Sequence, residues 1–229
     1  MRRTNMNSDP DQRKRTVFIV DDHPLVREWL TNLVNQQPDL AVCGESEGAP
    51  QAFAAMGAAR TDVAIVDISL KDSSGLELIK RLKESHPSVA VLVLSMHEES
   101  HFAGRALRAG ARGYVMKRET TRKVIEAIRR ILEGKLYISE ELADVLAAHL
   151  RDDKQGEICS PIEQLSDREL EVFDMLGRGL GTRQTAETLG LSLKTVQAYC
   201  ARMKEKLDLE SGSDLLREAI RWNDGRHPR

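Results

Sequence analysis

The chain has 229 residues, of which 41% are hydrophobic and 31% are charged, and its formal net charge at pH 7 is -2. This composition is typical of a globular protein with one large or two small domains, and the near-neutral charge confines any nucleic-acid contact to a local patch. Aromatic residues make up only 4% of the chain, so the sequence does not indicate a stacking platform for single-stranded nucleic acid.

The first segment, residues 1–15, contains basic residues but no apolar core. It therefore does not resemble a signal peptide, and we interpret it as a disordered, solvated tail. No apolar run in the sequence is long enough to cross a membrane. The cysteines Cys43, Cys159 and Cys200 are odd in number and widely spaced, which favours a reducing cytoplasm over a disulfide framework or a metal site.

Five short apolar runs alternate with amphipathic stretches over residues 16–135. The runs are TVFIV, LAVCG, DVAIVD, VAVLVLS and RGYVMK. Because they are continuously apolar and rich in β-branched residues, they predict parallel strands that are buried on both faces. The stretches between them have helical periodicity at 25–34, 49–56, 76–83, 101–109 and 121–132. The fold class indicated is α/β, with a doubly wound five-stranded parallel sheet whose functional sites lie at the carboxyl ends of the strands.

The pattern changes after this domain. Residues 136–162 predict one helix, at 139–150, followed by a polar linker without periodicity. Residues 163–224 carry only helical signals, beginning with a capping box at Ser166 and Glu169, and predict a small all-α domain. Residues 225–229 are a short tail.

Polar side chains follow four of the predicted strands. Asp21 and Asp22 come after the first strand, Asp67 ends the third, Ser95 the fourth and Lys117 the fifth. The carboxyl ends of parallel strands share one edge of the sheet, so these groups should converge. Three clustered carboxylates repel one another unless a cation lies among them, and Mg2+ prefers oxygen ligands. One carboxylate could then be a nucleophile toward a phosphoryl group, with the metal, hydroxyl and ammonium stabilising the developing charge.

Each of these residues, taken singly, has an ordinary structural explanation. A strand-end aspartate is most often a turn or helix-cap residue, and a single serine or lysine at a strand end is unremarkable. Their joint occurrence at the ends of different strands favours a functional site.

The motifs VDDH, VDISLKDSSG, LVLS and GYVMK resemble the receiver domain of two-component response regulators of the NarL/FixJ type. The resemblance implies a flavodoxin-like fold in which Asp67 accepts a phosphoryl group from a sensor histidine kinase. It also implies that Asp21 and Asp22, with the backbone carbonyl of Ser69, bind Mg2+. Ser95 and Lys117 would contact the phosphoryl group, and Tyr114 matches an aromatic switch position, although a half-buried strand tyrosine is an equally good explanation.

Two positions depart from the receiver pattern. Lys71 stands where many receivers carry proline and should alter the loop after Asp67, and Arg118 follows the lysine where the family varies.

The segment from Leu165 to about Trp222 resembles the LuxR/NarL-type helix-turn-helix. Along its third helix, Val196, Cys200, Met203 and Leu207 recur at helical spacing and should face the core. The resemblance places this helix in the major groove of double-stranded DNA. The implied DNA contacts are Thr182, Lys194, Thr195, Gln197, Ala198, Ala201, Arg202 and Lys206.

Two further departures lie in this segment. The family often has Ser-Asn where this chain has Gly181 and Thr182, and a branched apolar residue where Thr185 stands. We expect Thr182 to cap the second helix and Thr185 to weaken its packing.

Three functions remain open at this point. The first is a cytoplasmic, phosphorylation-controlled transcription regulator that dimerises when phosphorylated or bound to DNA. The second is a Mg2+-dependent aspartyl phosphohydrolase of the haloacid-dehalogenase type, although that class has Asp-x-Asp after its first strand. The third is a receiver that acts only through protein contacts. Turnover of small phosphomonoesters would distinguish the enzyme, because a receiver is labelled once per chain.

Overall fold

The structure is a computed structural model that describes residues 13–71, 73–119, 121–140, 142–144 and 161–224. Most of the predicted tails, the linker and the greater part of the helix expected at 139–150 lie outside these residues. Within that helix, residues 142–144 are helical.

A five-stranded parallel sheet forms the centre of the N-terminal domain, with strand order β2-β1-β3-β6-β7. These strands are β1 (Arg15–Val20), β2 (Leu40–Ser46), β3 (Val63–Val66), β6 (Ala90–Ser95) and β7 (Gly113–Met116). A separate antiparallel pair follows β3 and consists of β4 (Ser69–Leu70) and β5 (Ser73–Ser74). The predicted fold class is therefore confirmed. The first strand begins one residue earlier than predicted because the Arg15 backbone N–H bonds to the Asp39 carbonyl at 2.9 Å.

Helices cover both faces of the sheet. They are α1 (Pro24–Asn35), α2 (Ala49–Ala58), α3 (Gly75–Ser85), α4 (Glu99–Ala109) and α5 (Thr121–Leu132). Successive strand residues point to opposite faces. Val17 and Ile19 accordingly pack with α1 and α5, whereas Phe18 and Val20 belong to the apolar layer under α2, α3 and α4.

The C-terminal domain consists of a 3-10 turn, Pro161–Gln164, and four further helices in the described part of the chain. They are α6 (Asp167–Gly177), α7 (Thr182–Thr188), α8 (Leu193–Lys206) and α9 (Gly212–Asp224). The predicted capping box is present at the start of α6, where Ser166 and Glu169 bond to each other's backbone N–H groups. Ser192 caps α8 by accepting from the Thr195 backbone N–H at 3.0 Å.

The prediction that Thr182 caps α7 is wrong. Thr182 is the first residue of the helix, and the residue before it, Gly181, occupies the cap position. Glycine has no side chain to accept a bond, so the Gln184 side chain satisfies the terminus instead by accepting from the Gly181 N–H at 3.0 Å.

The two domains share one apolar core. The layer under α3 and α4, which includes Phe102, is continuous with buried residues of the C-terminal helices such as Leu170 and Phe173. Helix α6 therefore packs on the N-terminal domain next to the carboxyl edge of its sheet. Among the described residues, no helix is both long and apolar enough to span a membrane.

Candidate functional site

Three aspartates meet at the carboxyl edge of the sheet, as their strand-end positions predict. Asp21 and Asp67 are buried and Asp22 is partly exposed. Ligand atoms of these three residues and of His23 all lie within 4.8 Å of one another. The His23 backbone N–H also bonds to Asp21 Oδ1 at 2.9 Å. The edge therefore holds a compact set of oxygen ligands with one imidazole beside it.

Lys117 supplies the cation that balances this cluster. Its Nζ lies 2.7 Å from Asp21 Oδ2 and 2.7 Å from Asp67 Oδ2. Burial alone would lower the pKa of Lys117, but the two carboxylates outweigh it and raise that pKa, so the ammonium stays charged. The predicted convergence of Asp21, Asp67 and Lys117 is thus present in the structure.

The carboxyl group of Asp67 is costly to ionise in this setting. Burial raises its pKa from 3.8 to about 6, with Asp21 adding to the effect and Lys117 opposing it. A divalent cation at this edge would favour the ionised form, because it would replace the missing solvation of the carboxylates. The donor set of clustered carboxylate oxygens fits Mg2+, which Asp21, Asp22 and Asp67 would hold.

The backbone around Asp67 is held by the turn that follows β3. Asp67 Oδ1 accepts from the Ser69 backbone N–H at 3.2 Å. Gly75, the first residue of α3, donates its N–H to the Ile68 carbonyl at 2.9 Å. A Cβ on Gly75 would lie 1.9 Å from the Asp67 carbonyl oxygen, so only glycine lets α3 begin this close to the site.

Ser95 and Tyr114 both bind the backbone of His97. Ser95 is fully buried, and its hydroxyl accepts from the His97 N–H at 3.1 Å. The Tyr114 hydroxyl donates to the His97 carbonyl at 2.9 Å. The two residues assigned to the switch by resemblance therefore meet at one residue that the sequence did not single out.

The His97 side chain connects the two domains. Its Nε2 lies 2.8 Å from Ser69 Oγ, and its Nδ1 lies 2.9 Å from Asp174 Oδ2 on α6. His101 bonds to the other oxygen of Asp174 at 3.2 Å, and Arg178 lies 2.8 Å from Oδ2. Burial would raise the pKa of Asp174, but the bonds from His101 and His97 and the charge of Arg178 hold it well below its usual value. A buried, ionised carboxylate of the C-terminal domain is thus bound by two histidines of the N-terminal domain.

Further contacts tie α6 and the 3-10 turn to the N-terminal domain. Arg168 donates to the carbonyls of Leu70 and Ser73, in the β4–β5 pair that follows Asp67. Arg105 donates to the Leu165 carbonyl at 2.7 Å, the Ile162 carbonyl at 3.1 Å and Asp167 at 3.2 Å. Lys71, the departure noted in the sequence, lies against Gly190, since a Cβ there would be 2.6 Å from Lys71 Cγ.

Glu171 is a second buried carboxyl group on α6. Its Oε2 pairs with Arg168 at 2.5 Å. Burial raises the pKa of Glu171 to about 7 against the charge of Arg168, and the negative charge of Asp67 raises it further. Glu171 on α6 therefore lies close enough to the strand-end cluster for the charge of Asp67 to act on it.

Helix α8 presents the face that the resemblance assigns to DNA. Val196 and Met203 are buried as predicted, and Cys200 and Leu207 are half-buried against the core. On the other side, Lys194, Gln197, Ala201 and Arg202 are exposed, and Ala198 and Thr195 are partly exposed.

Lys206 is an exception among the predicted DNA contacts. Its ammonium lies 2.6 Å from Glu169 Oε2 and 3.3 Å from the Gln164 carbonyl. Because its charge neutralises a carboxylate inside the domain, we leave Lys206 out of the DNA-binding face.

Several residues of this site were missed by sequence reasoning. His23 follows the acidic pair directly and could have been found there. His97 and Asp174 are separated by 77 positions, and no local pattern connects them. Arg118, whose effect was open, pairs with Glu98 at 3.0 Å and so joins the segment after β7 to the start of α4.

Comparison with known families matches both parts of the chain. Residues 17–129 match the model described as "Response regulator receiver domain". Residues 163–219 match the model described as "Bacterial regulatory proteins, luxR family".

Curated relatives match over nearly the full length. "Oxygen regulatory protein NreC" of Staphylococcus haemolyticus is 31% identical over 209 residues, which cover 90% of this chain and 96% of that protein. "DNA-binding transcriptional activator DevR/DosR" of Mycobacterium tuberculosis is 34% identical over 194 residues, covering 85% of this chain and 88% of the relative.

Solved structures of response regulators are also similar to this chain. A structure of RcsB from Salmonella enterica serovar Typhimurium, bound to promoter rprA in the presence of phosphomimetic BeF3-, superposes with a TM-score of 0.58 at 25% identity. The match covers 91% of this chain and 99% of that one. With both domains matched and relatives above 30% identity along the chain, this protein belongs to the two-component response regulators that join a receiver domain to a LuxR-type DNA-binding domain, and it is not a conventional enzyme.

Proposed function

We propose that this response regulator accepts a phosphoryl group on Asp67 from a sensor histidine kinase and, in response, binds promoter DNA through α7 and α8. The observation that carries the proposal is the placement of Asp67, buried 2.7 Å from the Lys117 ammonium and beside two further carboxylates. We assign the receiver domain to residues 16–135 and the DNA-binding domain to residues 163–224.

The transfer is a displacement at phosphorus. A carboxylate oxygen of Asp67 forms a bond to phosphorus as the bond to the donor's imidazole nitrogen breaks and the imidazole leaves with the bonding electron pair. Asp21, Asp22, Asp67 and the Ser69 carbonyl would hold Mg2+, which would neutralise charge at this edge when bound. The Lys117 ammonium pairs with the phosphoryl oxygens and the Ser95 hydroxyl donates to one of them, so both favour the charged product.

The exposed face of α8 suits the major groove. A Gln197 amide can bond bidentately to an adenine edge, and the small side chains of Ala198 and Ala201 allow a close approach to thymine methyl groups. Lys194, Thr195, Arg202 and the N-terminal residue of α7, Thr182, lie on the flanks, where phosphate contacts fix the register of the helix. The charge of Arg202 is partly held over the Tyr199 ring, 5.4 Å from its centroid.

We also propose that two copies act together on DNA, in the cytoplasm. Paired half-sites are the usual targets of helix-turn-helix proteins, and a structure of two RcsB dimers bound to two parallel DNAs is among those similar to this chain. Cys43 and Cys200 are free thiols in the described part of the chain, in keeping with a reducing compartment.

The test combines labelling with DNA binding. The wild-type chain, incubated with Mg2+ and a small phosphodonor such as acetyl phosphate, should gain one phosphoryl group, and its affinity for a duplex selected from random sequence should rise. Asp67→Asn should fold, remain unlabelled and keep the low affinity, because the amide is isosteric but a poor nucleophile. Full labelling of this variant, or catalytic release of phosphate from small phosphomonoesters by the wild type, would contradict the proposal.

A further inference from the structure

His97 is bound on four sides by groups with different roles. Its backbone N–H donates to Ser95 Oγ and its carbonyl accepts from the Tyr114 hydroxyl. Its two ring nitrogens bond to Ser69, two residues after the phosphoacceptor, and to Asp174 of the DNA-binding domain. The residue is 3% exposed, and its ring packs on Phe102 with centroids 4.3 Å apart.

The chemistry of these bonds gives the ring a defined orientation. An ionised carboxylate can only accept a hydrogen bond, so the Nδ1 atom that faces Asp174 carries a proton. Nε2 is then bonded to the Ser69 hydroxyl at 2.8 Å, and Ser69 donates its backbone N–H to Asp67. An unbroken series of hydrogen bonds therefore leads from Asp67 through Ser69 and His97 to Asp174.

We propose that His97 is the residue that couples phosphorylation of Asp67 to release of the DNA-binding domain, with the Asp174 carboxylate as its counterpart on α6. This inference rests on the proposed function and names the contact through which that function is regulated. His97 acts as a positioning residue: it touches neither the phosphoryl donor nor DNA, and acts through Ser95, Tyr114 and Asp174.

The physical reason is the position of the Ser95 hydroxyl, because its oxygen must stay within reach of the His97 N–H to accept from it and must turn toward Asp67 to donate to a phosphoryl group. In this structure the hydroxyl oxygen accepts from the His97 N–H. A phosphoryl group on Asp67 offers charged oxygens to the same hydroxyl, and bonds to charged acceptors are about twice as strong as neutral ones. When Ser95 turns to the phosphoryl group, and Tyr114 follows, both backbone supports of His97 are lost together.

Loss of those supports displaces the ring from Asp174. A buried carboxylate that loses a hydrogen-bonding partner is strongly destabilised unless it reaches water. Separation of α6 from the receiver gives Asp174 access to water, so the open arrangement becomes favoured. Arg178, in the same domain as Asp174, keeps its ion pair after the separation, and the bonds from His97 and His101 can re-form when the phosphoryl group is lost.

The reading face of α8 is already exposed, so the control does not act by covering it. The contact instead fixes α6, and with it the whole DNA-binding domain, against one receiver. Two such domains must adopt a set spacing and orientation on paired half-sites, and a domain held at its receiver lacks that freedom.

Thermodynamic linkage makes the coupling measurable from both ends. If phosphorylation raises DNA affinity by a given factor, DNA must raise the affinity for a phosphoryl mimic by the same factor. We therefore expect beryllofluoride with Mg2+ to tighten binding of the full wild-type chain to its selected duplex by ~5- to 150-fold, and the duplex to tighten beryllofluoride binding equally.

The variants are His97→Leu, Asp174→Asn and, as a matched control, Arg105→Gln. His97→Leu removes both ring bonds while keeping an apolar side chain against Phe102, and should lower both factors to within about twofold of unity. Asp174→Asn should also lower both coupling factors, and it leaves every residue of the receiver domain unchanged. Arg105→Gln loosens the same interface through its bonds to the 162–167 segment, and should leave most of the coupling in place.

The possible results distinguish a failure of the coupling role of His97 from a failure of the proposed function. Circular dichroism and beryllofluoride binding report whether each variant is folded, and Asp174→Asn decides the question if His97→Leu does not fold. Full wild-type coupling in folded His97→Leu or in Asp174→Asn would overturn the role of His97, as would an equal loss in all three variants. A wild-type chain that binds neither beryllofluoride nor DNA would instead contradict the proposed function.

Discussion

At the scale of single residues, the strand-end site places a carboxyl group where its charge is poorly solvated. Asp67 is buried beside Asp21, and Lys117 only partly compensates, so the pKa of Asp67 is raised to about 6. The same burial removes water that would compete for the metal and for the phosphoryl group. The site is therefore less stable in the metal-free state, but it surrounds the nucleophile with the groups that stabilise its product.

The cost of ionising Asp67 predicts a pH-dependent difference between the wild type and Asp67→Asn. The folded pKa, about 6, lies above the unfolded value of 3.8, so the folded state holds the proton over this interval and loses stability as pH rises through it. A pKa difference of this size corresponds to about 3 kcal/mol. In chelator-containing buffer the unfolding free energy of the wild type should therefore fall relative to that of the variant between about pH 4 and pH 6. Urea titrations at several pH values measure this, and parallel curves would show that Asp67 ionises freely.

At the scale of secondary-structure elements, the DNA-binding helices show one local conflict. Thr185 on α7 is fully buried, and within the described part of the chain its hydroxyl oxygen has no hydrogen-bond partner. This agrees with the expectation that Thr185 weakens the packing of the second helix. A buried hydroxyl without a partner costs about 1–3 kcal/mol.

We predict that Thr185→Val stabilises the protein. The valine is close in shape and removes the unpaired hydroxyl, so the free energy of unfolding of the DNA-binding domain should rise by about 1 kcal/mol. Chemical denaturation measures the change. Thr188→Val serves as a control, because the Thr188 hydroxyl is exposed and bonded to the Gln184 carbonyl. An equal or larger gain in stability from Thr188→Val would show that the unpaired Thr185 hydroxyl is not the cause.

Substitutions on α8 can distinguish the side chains that read base sequence from those that contact phosphates. Gln197→Ala should cost about 1–3 kcal/mol on the preferred duplex and relax preference at one base pair, because a bidentate base contact is lost. Lys194→Ala and Arg202→Ala should weaken binding to all duplexes alike and reduce the salt slope by about one each. Titrations of preferred and scrambled duplexes across a salt series distinguish the two patterns. Equal losses on both duplexes for Gln197→Ala would mean that this residue does not read sequence.

At the scale of the whole molecule, the sequence predicted each domain far better than it predicted their arrangement. The five strands, the capping box at Ser166 and the buried face of α8 follow from local periodicity and cap chemistry, and all are present. The prediction for the cap of α7 was wrong because Gly181 can occupy the cap position when the Gln184 side chain accepts from its backbone N–H. The bonds from His97 and His101 to Asp174 could not be predicted, since they join positions 77 and 73 residues apart, in two domains that no local sequence pattern connects.

The continuous core between the domains predicts a change in unfolding cooperativity. The unphosphorylated chain should unfold in one calorimetric transition, because Phe102 and Phe173 belong to the same apolar layer. With Mg2+ and beryllofluoride the domains should unfold in two transitions, as two separate cores. Scanning calorimetry with comparison of calorimetric and van't Hoff enthalpies tests this. Two transitions without the mimic would show that the shared core contributes little.

The exposed side of α8 has a consequence for how quickly a signal can take effect. Lys194 and Arg202 face solvent even while α6 is held at the receiver. Sequence-independent attraction to the phosphate backbone needs only such cations, and it lets a protein slide and hop along a duplex. Unsignalled molecules would then spend part of their time in transit along the chromosome, with a residence that shortens as salt rises. The delay between kinase activity and promoter occupancy would be set by the opening of the molecule and the meeting of two copies, and not by a search that starts from free solution.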